Sequence, residues 1–214
     1  MSRFLAPIHT WLFNKIRLYE NLEAGLVKNY TEKYGKDVEA LYNQIQERHG
    51  HPLEDKPIEE LIDVSNIHGW LQNKISIAET RQAALLTELT NKHGEEVKNI
   101  ALNHYSSQGS ECGRDAAAKY EVNSAPELYQ ALNNYILEGM PCDRVNVTTV
   151  NTEDKLEWKN EMCLHRGYWD AVSGDISFFY ELRDAWIKSF VEDANDNFVY
   201  NANRNESTFE IVRK

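Results

Sequence analysis

A cysteine and a histidine near the middle of the C-terminal half are the side chains best placed for chemistry. Cys163 and His165 form a Cys-x-His pair at the end of an alternating, strand-like stretch. Side chains two positions apart on a strand point to one face, so this spacing predicts a thiol beside an imidazole. A cysteine nucleophile with its base, or two ligands of a metal ion, would need that arrangement. The competing interpretation is a buried cysteine beside a structural histidine, because one pair lacks further ligands.

The other two cysteines have different local surroundings. Cys142 lies in a loop beside Arg144, whose charge favours a reactive thiolate, whereas Asp143 opposes it. Cys112 follows Gly109 at a predicted helix start, where the helix dipole favours a thiolate. The candidate catalytic residues are Cys163, His165 and Cys142. The candidate ligands of a transition metal such as zinc or iron are Cys112, Cys142, Cys163 and His165. Buried, inert thiols are the alternative for at least two of the cysteines.

Two histidines at matching places in a repeated segment form a second candidate site. His9 and His68 are each followed two residues later by a tryptophan, Trp11 or Trp70. A pseudo-twofold pair of imidazoles could bind a metal ion or a planar cofactor such as a tetrapyrrole. The structural alternative is that the matched His and Trp side chains lock two helical hairpins together, which is the commoner role of such residues.

The repeated segment is an internal duplication with an offset of 59 residues. Segment 8–38 aligns without a gap with segment 67–97, and 14 of the 31 positions are identical. Apolar spacing alone does not explain this, since His, Trp, Asn, Lys and Glu recur in register. Each copy, at about 5–50 and 64–108, predicts a long helix, a glycine break and a second helix. Docked together, the two hairpins would form a four-helix layer.

Two details of the copies carry their own expectations. Arg81 falls on the apolar stripe where the first copy has Leu22, so a buried Arg81 requires a carboxylate partner. Trp11 and Lys15, like Trp70 and Lys74, lie one helical turn apart and are expected to form cation–π pairs. Both expectations concern the stability of the helical layer.

The pattern of the C-terminal half predicts a small antiparallel sheet with one long helix. The predicted elements are a helix over 125–139, strands over 144–150 and 155–165, a long helix over 176–191 and a hairpin over 197–212. With a duplicated helical region over 1–121 and an α+β region over 122–214, the chain is predicted to be an α+β protein. We expect the duplicated hairpins to form a helical layer that packs on the sheet in one compact unit.

Charge and cysteine content narrow the class of function. A net charge of −11 disfavours binding to nucleic acid and to anionic membranes. Three cysteines are an odd and sparse set, which fits a reducing compartment. Residues 1–9 lack the apolar run of a signal peptide, and no stretch approaches the ~18 apolar residues of a membrane span. We therefore expect a cytoplasmic protein with a small-molecule partner.

From about Thr90 onward the sequence resembles the L-2-amino-thiazoline-4-carboxylic acid hydrolase-like family. The similar parts are the Lys92–Val97 helix junction, the Gly109–Ala118 segment, the Cys163–Trp169 segment and the order of helices before sheet. The resemblance implies a cysteine-dependent hydrolase that acts on a small C–N or thiazoline-type substrate. A metal- or tetrapyrrole-binding sensor without turnover, and a homodimeric helical assembly module, are the alternatives.

Overall fold

The computed structural model describes residues 5–214, and it confirms the predicted α+β class. The described part of the chain contains eight α-helices and one four-stranded antiparallel sheet. Residues 1–4, on which part of the signal-peptide expectation rests, lie outside the described residues. The chain divides into a first unit, up to Ile100 plus His165–Ile176, and a second unit, Ala101–Leu164 plus Ser177–Lys214. No helix in 5–214 is long and apolar enough to cross a membrane.

The helices and strands follow one another along the chain with short connections. The helices are α1 (Pro7–Tyr34), α2 (Asp37–His49), α3 (Ile58–Leu61), α4 (Ile67–His93), α5 (Glu95–Lys119), α6 (Ala125–Leu132), α7 (Arg166–Asp170) and α8 (Ile176–Ala194). The strands are β1 (Asn146–Asn151), β2 (Lys155–Asn160), β3 (Phe198–Asn203) and β4 (Thr208–Arg213).

The two duplicated helical hairpins have the predicted form. In each copy a long helix, α1 or α4, ends at a glycine, and a second helix follows. Gly35 and Gly94 have φ angles of +87° and +74°, a region that side chains other than glycine rarely adopt. Asn66 caps α4, since its side chain accepts the backbone N–H of Gly69 at 3.2 Å.

A buried ion-pair network joins α1 to α4. Arg81 is fully buried, and its Nε lies 2.9 Å from both carboxylate oxygens of Glu23. Its Nη2 donates to Glu20 at 3.0 Å, so the expected carboxylate partner of Arg81 is confirmed. Burial alone lowers the pKa of Arg81, but the hydrogen bond and charge of Glu23 outweigh it and the net pKa is raised. Desolvation raises the pKa of Glu23 to about 7, against the opposing effect of Arg81.

The sheet of the second unit has the strand order β1-β2-β4-β3, and every neighbouring pair is antiparallel. Aromatic side chains from neighbouring strands meet on its buried face, where Trp158 lies opposite Phe209. On that face Tyr129 of α6 contacts Trp158, with ring centroids 4.7 Å apart. The Tyr200 hydroxyl donates to Asp184 of α8 at 2.8 Å. Helices α6 and α8 therefore cover the buried face of the sheet.

Helix α5 continues through Gly109 and Gly113, so no helix begins near Cys112, where the sequence predicts one. A Cβ atom added to Gly109 would lie 2.3 Å from the carbonyl oxygen of Trp186. At Gly113 it would lie 2.3 Å from that of Phe190. The two glycines are one helical turn apart, so they form a bare strip on α5 that contacts the backbone of α8. These glycines serve close helix packing, not a helix break.

Candidate functional site

A cavity in the second unit opens between α6, α8 and the buried face of the sheet. The space among its lining side chains, including the open mouth, amounts to ≈ 340 Å³. The polar and aromatic side chains that line it are Tyr129, Asn133, Glu138, Asn146, Trp158, Asn160, Arg183, Tyr200, Arg204 and Phe209. Leucine and isoleucine side chains complete the wall. The cavity combines a flat apolar surface with a few polar groups.

Two buried carboxamide oxygens distinguish this cavity. Asn146 and Asn160 are cross-strand partners at the end of the β1–β2 ladder. The Oδ1 atoms of both are buried and accept no hydrogen bond from any described residue. The side chain of Asn146 does bond to the Tyr129 hydroxyl. A buried polar atom without a partner costs about 1–3 kcal/mol, so such atoms are rare in folded proteins.

The strand register explains why these two asparagines lie on the cavity side of the sheet. Asn160 follows Trp158 by two residues on β2, so the two side chains share the face on which Trp158 is buried. Trp158 also contacts Phe209 and Tyr200, with ring centroids 5.7 and 6.1 Å apart. The result is an aromatic wall with an amide oxygen at its end.

The charges that line the cavity are matched. Arg183 forms an ion pair with Glu138 and donates to the carbonyl oxygen of Leu137 at 3.0 Å. Arg204 is paired with Asp184, and its Nε lies 2.8 Å from Asp184 Oδ2. Each guanidinium therefore has its own carboxylate.

The phenols of the cavity stay protonated. Burial raises the pKa of Tyr129, although its hydrogen bonds to Asn133 and Asn146 act against this shift. Burial and the neighbouring carboxylate of Asp184 raise the pKa of Tyr200 well above its ordinary value. The two tyrosines therefore add no charge to the lining, and its two arginines are balanced by Glu138 and by Asp184. The unpartnered Oδ1 atoms of Asn146 and Asn160 are its free hydrogen-bond acceptors.

The structure places the predicted catalytic residues Cys163 and His165 in different surroundings. Strand β2 ends at Asn160, so the predicted strand over 155–165 is too long and its alternation does not apply to this pair. Cys163 is exposed in the second unit, where its Sγ accepts the Tyr180 hydroxyl at 2.7 Å. His165 belongs to the first unit and is 3% exposed. Its Nδ1 atom lies 2.7 Å from Oε2 of Glu79.

The remaining cysteines do not complete a metal centre. Cys112 lies in the middle of α5 rather than at a helix start, because the helix runs from Glu95 to Lys119. Burial raises the pKa of Cys112 to about 12, so its thiol is neutral. Cys142 is exposed on a short 3-10 helix, Pro141–Asp143. Within 5–214, no three His, Cys, Asp or Glu side chains come together in a way that could hold a metal ion.

The two matched histidines of the duplication do meet. The Nε2 atoms of His9 and His68 are 3.3 Å apart, with the rings edge to face. This separation leaves no room for a tetrapyrrole with both imidazoles as axial ligands, because two bonds of about 2.0–2.1 Å in line require about 4 Å. Trp11 and Trp70 instead receive Lys15 and Lys74, whose Nζ atoms lie 3.8 and 5.5 Å from the ring centroids. The expected cation–π pairs are confirmed.

The sequence patterns did not identify the asparagines of the cavity as site residues, although the position of Asn160 in its strand is unusual. Asn160 occupies the inward face of a strand beside a large aromatic residue, a position where an apolar side chain is the rule. A polar residue there marks either a strand end or a binding site.

Comparisons with models of known families, with characterised proteins and with solved structures give no match to this chain.

Proposed function

We propose that the protein binds a small, uncharged, planar molecule in the cavity of the second unit. The observation that supports this proposal is the pair of buried, unpartnered Oδ1 atoms of Asn146 and Asn160. A ligand that donates a hydrogen bond to each oxygen would recover the free energy that their burial costs. A site of this kind discriminates strongly against analogues that lack the donors.

The lining suggests the chemical class of this ligand. Because Arg183 and Arg204 are already paired with carboxylates, a charged ligand would meet no complementary charge. The rings of Trp158, Tyr129 and Phe209 provide apolar contact for a flat molecule. An amide, a urea or an amino-substituted heteroaromatic ring has two neighbouring donors on a flat, neutral body. We expect ligands of this class.

The side chains that line the cavity favour ligand binding without catalysis. No cysteine, serine or histidine is among the described residues that line the cavity. Its carboxylate, that of Glu138, is held by Arg183. The cavity offers donors and acceptors but no nucleophile with an adjacent base.

The proposal is tested by screening neutral amide, urea and amino-heteroaromatic fragments with two-dimensional NMR. We expect hits that shift the side-chain amide signals of Asn146 and Asn160 and the indole signal of Trp158. Asn160→Leu should weaken these hits at least tenfold, because one acceptor is lost. Asn201→Leu is the matched control, since Asn201 is exposed and bonds to Glu210. Hits that bind both variants equally, or no hit at these signals, would contradict the proposal.

Cysteine-dependent hydrolysis at Cys163 is the second candidate function, supported by the hydrogen bond that Tyr180 donates to its Sγ. A phenol that donates to sulfur stabilises a thiolate, which is the form in which a cysteine attacks an electrophile. We expect iodoacetamide to label Cys163 faster than Cys142, which is also exposed, and Tyr180→Phe to remove the difference. Equal labelling rates of the two cysteines in the unaltered protein would refute this candidate.

A further inference from the structure

We propose that His9 and His68 bind one transition-metal ion of borderline softness, such as Cu²⁺, Ni²⁺ or Zn²⁺, through their Nε2 atoms. The two nitrogens face each other at 3.3 Å. Two imidazoles bound to one tetrahedral ion, at metal–nitrogen distances of about 2.0–2.1 Å, have their nitrogens about 3.4 Å apart. The pair therefore already has the spacing of two ligands of a single ion. This inference is independent of the function proposed for the cavity.

One member of the pair is open to solvent. His68 is exposed, so an ion can reach the pair, whereas His9 is 7% exposed. Imidazole nitrogen is a preferred ligand of copper, nickel and zinc.

Metal binding replaces one hydrogen bond and moves one proton within a ring. The backbone N–H of Ala6 donates to His9 Nδ1 at 3.0 Å, so Nε2 of His9 carries the proton and donates to His68. An ion at both Nε2 atoms requires this proton to move to Nδ1 of His9, which breaks the bond from Ala6. Two metal–nitrogen bonds replace that bond and the His–His contact, and no net proton is released.

The surrounding helices hold the pair in place. Each histidine lies in the first turn of a long helix, α1 or α4. Arg81 of α4 fixes these helices to each other through Glu20 and Glu23 of α1. Because the described residues supply no third ligand, water would fill the other positions. We therefore expect micromolar binding, and we expect the helical layer to fold without the metal.

The experiment is calorimetric titration of the full chain with NiCl₂ at pH 7.5, repeated with CuCl₂, ZnCl₂ and MgCl₂. We expect one site per chain, tightest for Cu²⁺ and absent for Mg²⁺. His68→Ala should weaken Ni²⁺ binding at least tenfold while circular dichroism stays unchanged, because His68 is exposed. His51→Ala is the matched control, since this exposed histidine bonds to Gln46 at 2.9 Å, and the variant should bind Ni²⁺ like the unaltered protein.

Nitrogen NMR of the imidazole rings provides the second readout. Zn²⁺ should shift the Nε2 signals of His9 and His68 and move the proton of His9 to Nδ1. The proposal is overturned if His68→Ala binds Ni²⁺ as tightly as the unaltered protein, or if Zn²⁺ leaves both Nε2 signals in place.

Discussion

The glutamates at matching positions of the duplication have acquired different partners. Glu20 accepts the backbone N–H of Leu53 at 3.0 Å and the guanidinium of Arg81. Its counterpart Glu79 instead pairs with His165, 86 positions away. Each carboxylate thus ties a segment outside the long helices to the helical layer. The sequence identifies the matched pair, and it predicts that Arg81 needs a carboxylate, but partners so distant in the chain cannot be read from local spacing.

Titration of Glu23 predicts a pH dependence of stability. Its pKa is raised by burial from an ordinary value of 4.5 to about 7 in the folded chain. A raised carboxyl pKa contributes stability that is present below pH 4.5 and is lost as the pH rises to about 7. At about 1.4 kcal/mol per pH unit, the contribution of Glu23 to the free energy of unfolding falls by about 3 kcal/mol over this interval.

The measurement is urea unfolding of Glu23→Gln and of the unaltered protein from pH 4.5 to pH 8. We expect the free energy of unfolding of Glu23→Gln, relative to that of the unaltered protein, to increase as the pH rises. Glu88→Gln is the control, since Glu88 pairs with Arg48 at the surface and should show no such trend. Parallel curves for Glu23→Gln and the unaltered protein would mean that Glu23 is ionised throughout.

At the scale of elements, local patterns predict the helices of the duplication well. The apolar stripe and the positive-φ glycines Gly35 and Gly94 depend only on neighbouring residues. The limits of α5 and β2 depend on distant contacts. Gly109 and Gly113 look like helix breakers until the backbone of α8 is placed against them. A short strand that ends at Asn160 is equally hard to delimit, since alternation continues past its last ladder pair.

The close contact between α5 and α8 predicts the effect of a single methyl group. Gly113→Ala would place a Cβ atom 2.3 Å from the carbonyl oxygen of Phe190, so the helices must move apart. We expect a loss of about 1–3 kcal/mol in the free energy of unfolding, even though alanine favours a helix. Gly167→Ala is the control, because nothing lies within 4 Å of its added Cβ and α7 is helical there.

Chemical denaturation of the two variants measures this difference. The control should be as stable as the unaltered protein or slightly more stable, since a helical glycine costs about 1 kcal/mol relative to alanine. If Gly113→Ala were also stabilised, the bare strip on α5 would not be a packing surface, and the glycines would need another explanation.

At the scale of the whole molecule, the two units carry separate candidate sites. The duplicated unit has the pair of matched histidines, and the second unit has the cavity with Asn146 and Asn160. The histidine pair was within reach of the sequence, since matched residues of two similar hairpins are expected to meet near a pseudo-twofold axis. The cavity was not, because it needs the order of four strands and the position of two helices.

The Oδ1 atoms of Asn146 and Asn160 have no partner among the described residues, and the proposed ligand would supply one to each. The direct measurement is the free energy of unfolding of Asn160→Leu without any ligand, from urea denaturation. If Oδ1 of Asn160 is buried and unpartnered, removing it should raise the free energy of unfolding by about 1–2 kcal/mol, while fragment binding weakens at least tenfold. A fall of similar size would contradict the account, since it would show that the folded protein itself already satisfies this carboxamide.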